Sequence, residues 1–394
     1  MTTPFRRNGM KDKTDKPKVG LVLAGGGARA AYQVGVRKAI AELLPPDISN
    51  PFPILSGTSA GAINATTLAI YAPRFREGVR RLVYVWRNFH VHQVFRADAF
   101  GVIANGLRWF AVVVLGGLGQ RNPHSLLDRT PLRRLLYKTL PFVKIQDAIN
   151  AGVLHALSIT ASGYSSGQSV TFYQGVSSLA TWKRSRRVGS AANITINHLM
   201  ASSAIPFVFA AEKINREYFG DGSMRQIAPI SPALHLGADR VLVVGVRLES
   251  ESLSLRTETN VYPSIAQIAG HVLNSIFLDS LEGDIERLLR INKTIGLIPA
   301  EQLREGGVTL RNIDVLVIAP SENLEKIAAR HAHHLPRTIR YLLRGLGFLN
   351  RNGSNLVSYL LFEKPYCREL IDLGYKDAMT RQDEILQFLE MPTE

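Results

Sequence analysis

Phe52-Pro53-Ile54-Leu55-Ser56-Gly57-Thr58-Ser59-Ala60-Gly61-Ala62-Ile63-Asn64 changes character half-way along. Phe52 to Leu55 is a short apolar run of the kind that forms a buried strand, whereas Ala62 to Ile70 spaces its apolar side chains as a helix does. Between them, Gly57-Thr58-Ser59-Ala60-Gly61 sets a serine two positions from a glycine on either side. A serine at such a strand-to-helix turn stands on a nucleophile elbow, and the glycines let neighbouring elements pass close to it. The following helix directs free N–H groups and its positive dipole end at the serine, which favours an anion there.

Towards the N-terminus, Lys18-Val19-Gly20-Leu21-Val22-Leu23 reads as a buried parallel strand. It runs into Ala24-Gly25-Gly26-Gly27-Ala28-Arg29-Ala30 and then a helix-like segment carrying Val34, Val36, Ile40, Leu43 and Leu44, which Pro45-Pro46 stops. Two chemistries compete for the glycines. Gly25 to Ala30 formally fits a dinucleotide fingerprint, but that use needs an acidic residue at the end of the second strand to hold a ribose hydroxyl. The second strand ends instead in Ser56-Gly57-Thr58-Ser59, and the nearest acids, Glu42 and Asp47, precede it. The alternative is an oxyanion hole, in which loop N–H groups donate to a negative oxygen formed at Ser59. Consecutive parallel strands put both loops at the same carboxyl edge of a sheet, which favours this second use.

A reactive serine needs a base. None of the ten histidines stands in a distinctive setting: His198 lies in a helix-like run, His235 follows Pro232, and His331, His333 and His334 crowd together without a cysteine or acid at metal-ligand spacing. Asp221, in Tyr218-Phe219-Gly220-Asp221-Gly222-Ser223, follows a strand-like stretch. Asp-Gly is a common type I′ or II′ turn dipeptide. A desolvated carboxylate also serves as a general base.

Taken in order, these segments resemble the patatin-like phospholipases, lipid acyl hydrolases that use a Ser-Asp dyad. The family's glycine-rich oxyanion motif matches Gly25 to Ala30, its nucleophile elbow Gly57 to Gly61 and its Asp-Gly motif Asp221-Gly222. Ala201-Ser202-Ser203-Ala204-Ile205-Pro206 is a further family-like stretch, and the resemblance covers Lys18 to Leu248. It implies an α/β fold, a patatin-like three-layer sandwich with a mainly parallel central sheet and helices on both faces, here with a helical C-terminal extension like that of some bacterial members. It implies Ser59 as nucleophile and Asp221 as base. Gly25, Gly26, Gly27, Ala28, Arg29 and Ala60 would surround the oxyanion and substrate, with Gly57, Gly61 and Gly222 as motif glycines and no metal or cofactor. Arg29 is expected to order the loop or meet an anionic head group. Two positions depart from the pattern: Ala30 replaces the last glycine of the oxyanion motif, and Ser223 stands where the aspartate motif has Gly or Ala. A Ser223 hydroxyl bonded to Asp221 would lower its basicity. The implied substrate is a membrane lipid ester; a membrane-binding protein of this fold with little catalysis is the alternative.

The 394 residues suffice for two or three domains. Residues 1–17 read as a flexible basic tail without an apolar signal segment, 18–250 as the catalytic domain, 251–320 as the rest of the α/β core and 321–394 as the helical extension. Strand-like runs recur at Ala156 to Thr160, Ser169 to Tyr173, Arg240 to Val246 and Ile313 to Ile318, while Ser264 to Arg290 is helix-like. An insertion at about 74–134 holds Trp86, Phe89, Phe95, Phe100, Trp109 and Phe110, and its weakly charged stretch from Ala99 to Gly119 reads as a lid or interfacial dock, with a buried core hairpin as the alternative. Arg108 and five glycines argue against a membrane span there. The single Cys367 fits a reducing, cytoplasmic setting. A net charge of +15 calls for an acidic partner. No nucleic-acid module appears, so an anionic membrane surface bound peripherally is expected, with Lys183, Arg184, Arg186 and Arg187 beside Trp182 as one contact. The C-terminal helices are expected to pack on the catalytic domain or mediate homo-oligomers.

Overall fold

A computed structural model describes residues 17–96, 125–245, 280–306, 310–345 and 354–390. In chain order its main elements are β1 (Val19–Leu23), α1 (Ala31–Leu43), β2 (Ile54–Thr58), α2 (Ala60–Ile70), α3 (Phe75–Arg87), α4 (Thr130–Thr139), α5 (Val143–Asn150), β3 (Ala156–Gly163) and β4 (Ser169–Gly175). There follow β5 (Trp182–Arg184), β6 (Arg187–Ala191), α6 (Ile196–Ser202), β7 (Glu212–Ile214), β8 (Glu217–Asp221), α7 (Ser231–His235), β9 (Arg240–Val244), α8 (Ser280–Gly296) and β10 (Asp314–Ile318). The chain closes with α9 (Leu324–His331), α10 (Arg337–Gly345), α11 (Ser354–Leu360), α12 (Lys364–Thr380) and α13 (Gln382–Phe388).

The central strands are apolar on both faces, which only a sheet covered on both sides accommodates. Leu21 and Leu23 of β1, Leu55 of β2 and Leu242 and Val244 of β9 join one core. Their alternates Val22, Ile54, Val241 and Val243 join a second core with Ile230, Ala233 and Leu236 around α7 and Leu288 of α8. The sheet order is β10-β9-β1-β2-β3-β4-β6-β5. From β10 to β3 neighbouring strands are parallel; β4 then runs antiparallel to β3. This is the mixed α/β sandwich expected from the sequence. β2 continues past the apolar run to Thr58, because β1 and β3 supply ladder partners on both sides.

One junction positions the site. β4 occupies one edge of β3 from Ala156 to Ser162. The other edge is shared: β2 pairs with it up to Thr58↔Thr160, and β8 pairs antiparallel from Asp221↔Ala161. The ends of β2 and β8 therefore meet. Asp221 closes a strand and opens a 3-10 turn, Gly222–Met224, so the hairpin-turn reading of Asp221-Gly222 does not apply.

The C-terminal helices share the main core, where Tyr366, Leu370 and Ile371 of α12 pack with Tyr32 and Ile40 of α1. The two helices cross with main chains almost touching: a Cβ on Gly35 would lie 2.0 Å from the Ile371 carbonyl oxygen, and one on Gly374 2.2 Å from that of Tyr32. Trp86, Phe89 and Phe95, read as part of an insertion, are buried in this core. Phe100, Trp109, Phe110 and the lid reading of 99–119 fall outside the described residues. Among the described residues no helix is long and apolar enough to cross a membrane.

A methyl group at the α1–α12 crossing has nowhere to go. Gly374→Ala is expected to destabilise the fold by about 2–3 kcal/mol, the usual scale of overpacking. A urea midpoint equal to wild type would show that the helices part at no cost.

Candidate active site

The glycine loop leaves β1 beside the elbow. A Cβ on Gly25 would lie 3.2 Å from the Ser59 Cβ and 2.5 Å from the Ser223 Oγ, so only glycine lets the loop lie against both serines. Gly26 joins it to a 3-10 turn, Gly27–Ala30, in which the Arg29 N–H donates to the Gly26 carbonyl. Gly27 has φ +54°, and its missing side chain leaves room for the Tyr359 carbonyl of α11. A buried amide relay ties this loop to α2. Gln33 donates to the Ala24 carbonyl, Asn64 donates to Gln33 and the Ala30 carbonyl, and the Trp86 indole donates to Asn64. Gly57 and Gly61 lie where β2, α2 and the end of β1 crowd together, and Gly222 lies against the Thr160 carbonyl.

Ser59 has φ 55° and ψ −127°, a conformation that costs a non-glycine residue about 1–3 kcal/mol. Three hydrogen bonds hold it there. Its N–H donates to the Ser202 Oγ at 2.8 Å, Ser202 donates to the Thr160 carbonyl at 2.6 Å, and the Ala62 N–H donates to the Ser59 carbonyl at 3.0 Å. Beneath them Thr58 donates to Gln226, and Gln226 donates to Thr160.

Asp221 is wholly buried; Oδ1 accepts from the Ser223 N–H at 2.9 Å, while its own N–H donates to the Ala204 carbonyl. Burial pushes its pKa up to about 6, against the opposing effects of the Ser59 hydroxyl, the Ser223 N–H and hydroxyl, and the Arg129 charge. The Ser59 hydroxyl is near enough to act on the carboxyl, yet Oδ2 has no partner in full hydrogen-bond geometry. The contact is a loose one, as is common before substrate tightens a site. Ser223 thus affects Asp221 in the direction its sequence position suggests.

The structure separates Arg29 from this cluster. Its guanidinium is 2% exposed and turned into the C-terminal helices, with Nε donating to the Ser358 Oγ at 2.7 Å, Nη2 to Glu325 at 3.0 Å, and the charge lying 4.4 Å from the Tyr359 ring centre. The side chain anchors the loop from behind and cannot meet a head group. The buried cation near Asp221 is Arg129, which donates to the carbonyls of Met200 and Ala210 and to the Ser203 Oγ. Arg129, Ser202 and Gln226 were not singled out from the sequence. Only Ser202 carried a signal, inside the family-like Ala201–Pro206 stretch.

Ser59 and Ala60 open onto a cavity of about 830 Å³. It is lined by the row Ser59, Ile63, Thr67 and Tyr71 along and flanking α2, by Leu82, Val85 and Phe89 in and just after α3, and by Leu132 and Leu136 of α4. His198 and His235 do not line it; burial pushes both down to about 4, and both pack on aromatic rings, Phe172 and Trp182.

The family model described as patatin-like phospholipase matches residues 21–234, more than half of the chain. The chain belongs to the patatin-like phospholipase family. No curated protein matches it. Among solved structures it is similar to VipD from Legionella pneumophila, with 11% identity, a TM-score of 0.37 and coverage of 94% of this chain and 67% of that one. It is also similar to the human GIVD cytosolic phospholipase A2 in complex with methyl gamma-linolenyl fluorophosphonate, with 13% identity, a TM-score of 0.43 and coverage of 95% and 59%.

Burying Asp221 has a measurable consequence. Its folded pKa of about 6 exceeds the ordinary 3.8, so stability is present at low pH and is lost as pH rises through this window. A shift of about two pH units corresponds to about 3 kcal/mol. Asp221→Asn is therefore expected to be more stable than wild type at pH 8, by up to that amount, with the gap closing below about pH 4. Equal stability of the two at pH 8 would mean that the carboxylate is not strained by burial.

Proposed function

We propose that this chain is a serine lipid acyl hydrolase, of phospholipase A or lysophospholipase type, that cleaves fatty-acyl esters of membrane lipids. The observation that carries the reading is a strained, buried Ser59 beside a desolvated Asp221 and the glycine loop, at one end of a long apolar cavity. An apolar cavity with few convergent polar groups suits a substrate that is mostly hydrocarbon.

Asp221 accepts the Ser59 proton as Oγ attacks the ester carbonyl carbon. N–H groups of the Gly25–Gly27 loop and of Ala60 donate to the oxygen that becomes negative, with the α2 dipole adding to the stabilisation. As the tetrahedral intermediate collapses, the alcohol leaves with the proton from Asp221. Water, deprotonated by Asp221, then attacks the acyl-enzyme and frees the fatty acid and Ser59. A base pKa near 6 leaves Asp221 ionised at neutral pH while keeping it more basic than a solvated aspartate. The path needs no metal or cofactor.

Ser59→Ala is expected to lower ester turnover by several orders of magnitude and abolish labelling by an alkyl-fluorophosphonate. Full turnover by a folded Ser59→Ala protein would overturn the mechanism. In the active enzyme kcat/KM should rise through about pH 6 as Asp221 loses its proton. Ser223→Ala removes the hydroxyl whose nearness opposes the rise of the Asp221 pKa and should move that limb upward by about half to one pH unit. An unmoved or lowered limb would show that the Ser223 hydroxyl does not bond to Asp221.

A further inference from the structure

We infer that the open end of the cavity, lined by exposed residues of α3 and α4 with the start of α5 beside it, is the face that docks on an anionic lipid bilayer. The inference takes its partner from the lipid-hydrolase reading and adds where and in which orientation the membrane is met. α2 and α3 are joined by a short turn and run back along each other: Trp86, near the last turn of α3, bonds to Asn64 in the half of α2 next to Ser59, whereas Tyr71 lies against Gly78 and Arg81 in the first half and middle of α3. The row from Ser59 to Tyr71 is about 18 Å long at the helical rise. An extended acyl chain advances about 1.25 Å per carbon from carbon–carbon bonds of about 1.5 Å. A chain of about fourteen carbons therefore matches the length of the cavity between Ser59 and this opening.

The rim suits such a contact. Tyr84 on α3 and Tyr137 on α4 line the cavity yet are 72% and 80% exposed, and Val143 at the start of α5 is 70% exposed. Tyrosines are favoured at the head-group level, where an apolar ring and a polar tip are both solvated. Arg80 on α3, Arg134 and Lys138 on α4 and Lys144 on α5 are exposed around them. The acids there do not balance these charges: Glu77 is already bound by Arg74 and Arg81, and Asp147 lies one turn beyond Lys144. The basic hairpin of β5 and β6, expected as a contact from the sequence, is the weaker candidate. β5 is the outermost strand, none of its residues lines the cavity, and Trp182 is stacked between Tyr173 and His235.

The test uses the full chain with vesicles of phosphatidylcholine alone or mixed with phosphatidylglycerol. Arg134, one turn from Tyr137 and Lys138 on α4, and Lys144, 5.9 Å from the Tyr71 ring centre, do not line the cavity. Arg134→Gln/Lys144→Gln should bind the mixed vesicles about 30-fold more weakly, the effect of two surface cations, and keep wild-type turnover of a short soluble ester. Cys367 is buried, so an introduced surface cysteine can be labelled selectively. A polarity-sensitive fluorophore on Tyr137→Cys should shift to the blue on mixed vesicles, while one on Arg184→Cys should not. Undiminished vesicle binding by the double variant, or a blue shift at position 184 without one at 137, would overturn the inference. Either result with soluble-ester turnover intact leaves the hydrolase reading standing. Docking through this face by a wild type that turns over no ester would sink that reading and keep the docking surface.

Discussion

The site depends on one constraint, the sharing of a single edge of β3 between β2 and β8. Because β2 stops at Thr58 opposite Thr160 and β8 ends at Asp221 opposite Ala161, two segments more than 160 residues apart are pinned end to end. Backbone ladder bonds fix that register, and a slip of one residue would turn each side chain to the opposite face. The elbow then turns Ser59 back towards the carboxyl group, and Ser202 holds both the Ser59 N–H and the Thr160 carbonyl at the junction. Main-chain pairing, rather than side-chain attraction, thus holds Ser59 and Asp221 at a spacing where neither is fully hydrogen-bonded to the other.

Burying charge in this junction is costly, and the surroundings offset it unevenly. Arg129 is satisfied by two carbonyls and a hydroxyl, a good match for a guanidinium with five N–H donors. Arg29 has an ion pair, a hydroxyl and an aromatic face. Asp221 receives one backbone N–H at Oδ1 and leaves Oδ2 without a well-formed bond. The two arginines hold the scaffold and are well partnered. The carboxylate that would move a proton is the group left under-solvated, which keeps it basic enough to accept one.

Local sequence carried the turns and missed the long-range contacts. Glycine positions, the change from strand to helical spacing and the apolar alternation are properties of a few neighbouring residues, so the elbow, the glycine loop and most strands were legible. The partner of β8 was not, because strand pairing depends on residues far apart in sequence, and Asp221-Gly222 by itself looks like a hairpin turn. Arg29 in a glycine-rich stretch reads as a surface cation; its burial depends on Glu325, Ser358 and Tyr359, about 300 residues later. Trp86 and Phe89 read as insertion residues because nothing nearby reveals Phe362, which packs against both rings.

That last contact belongs to a wider pattern. The family match ends at residue 234, yet β9 and β10, two of the five strands in the parallel part of the sheet, lie beyond it. So do the groups that hold the back of the glycine loop: the Tyr359 carbonyl fills the space a side chain on Gly27 would need, and Ser358 and Glu325 bind Arg29. The conformation of Gly25 to Gly27 at Ser59 is therefore set from two sides, by β1 and α2 in front and by α9 and α11 behind. An oxyanion site works through donors fixed before the reaction begins. In the mechanism proposed for this chain, that fixing would come partly from helices outside the family match, so the C-terminal segment would belong to the scaffold of the candidate site as much as the motifs do.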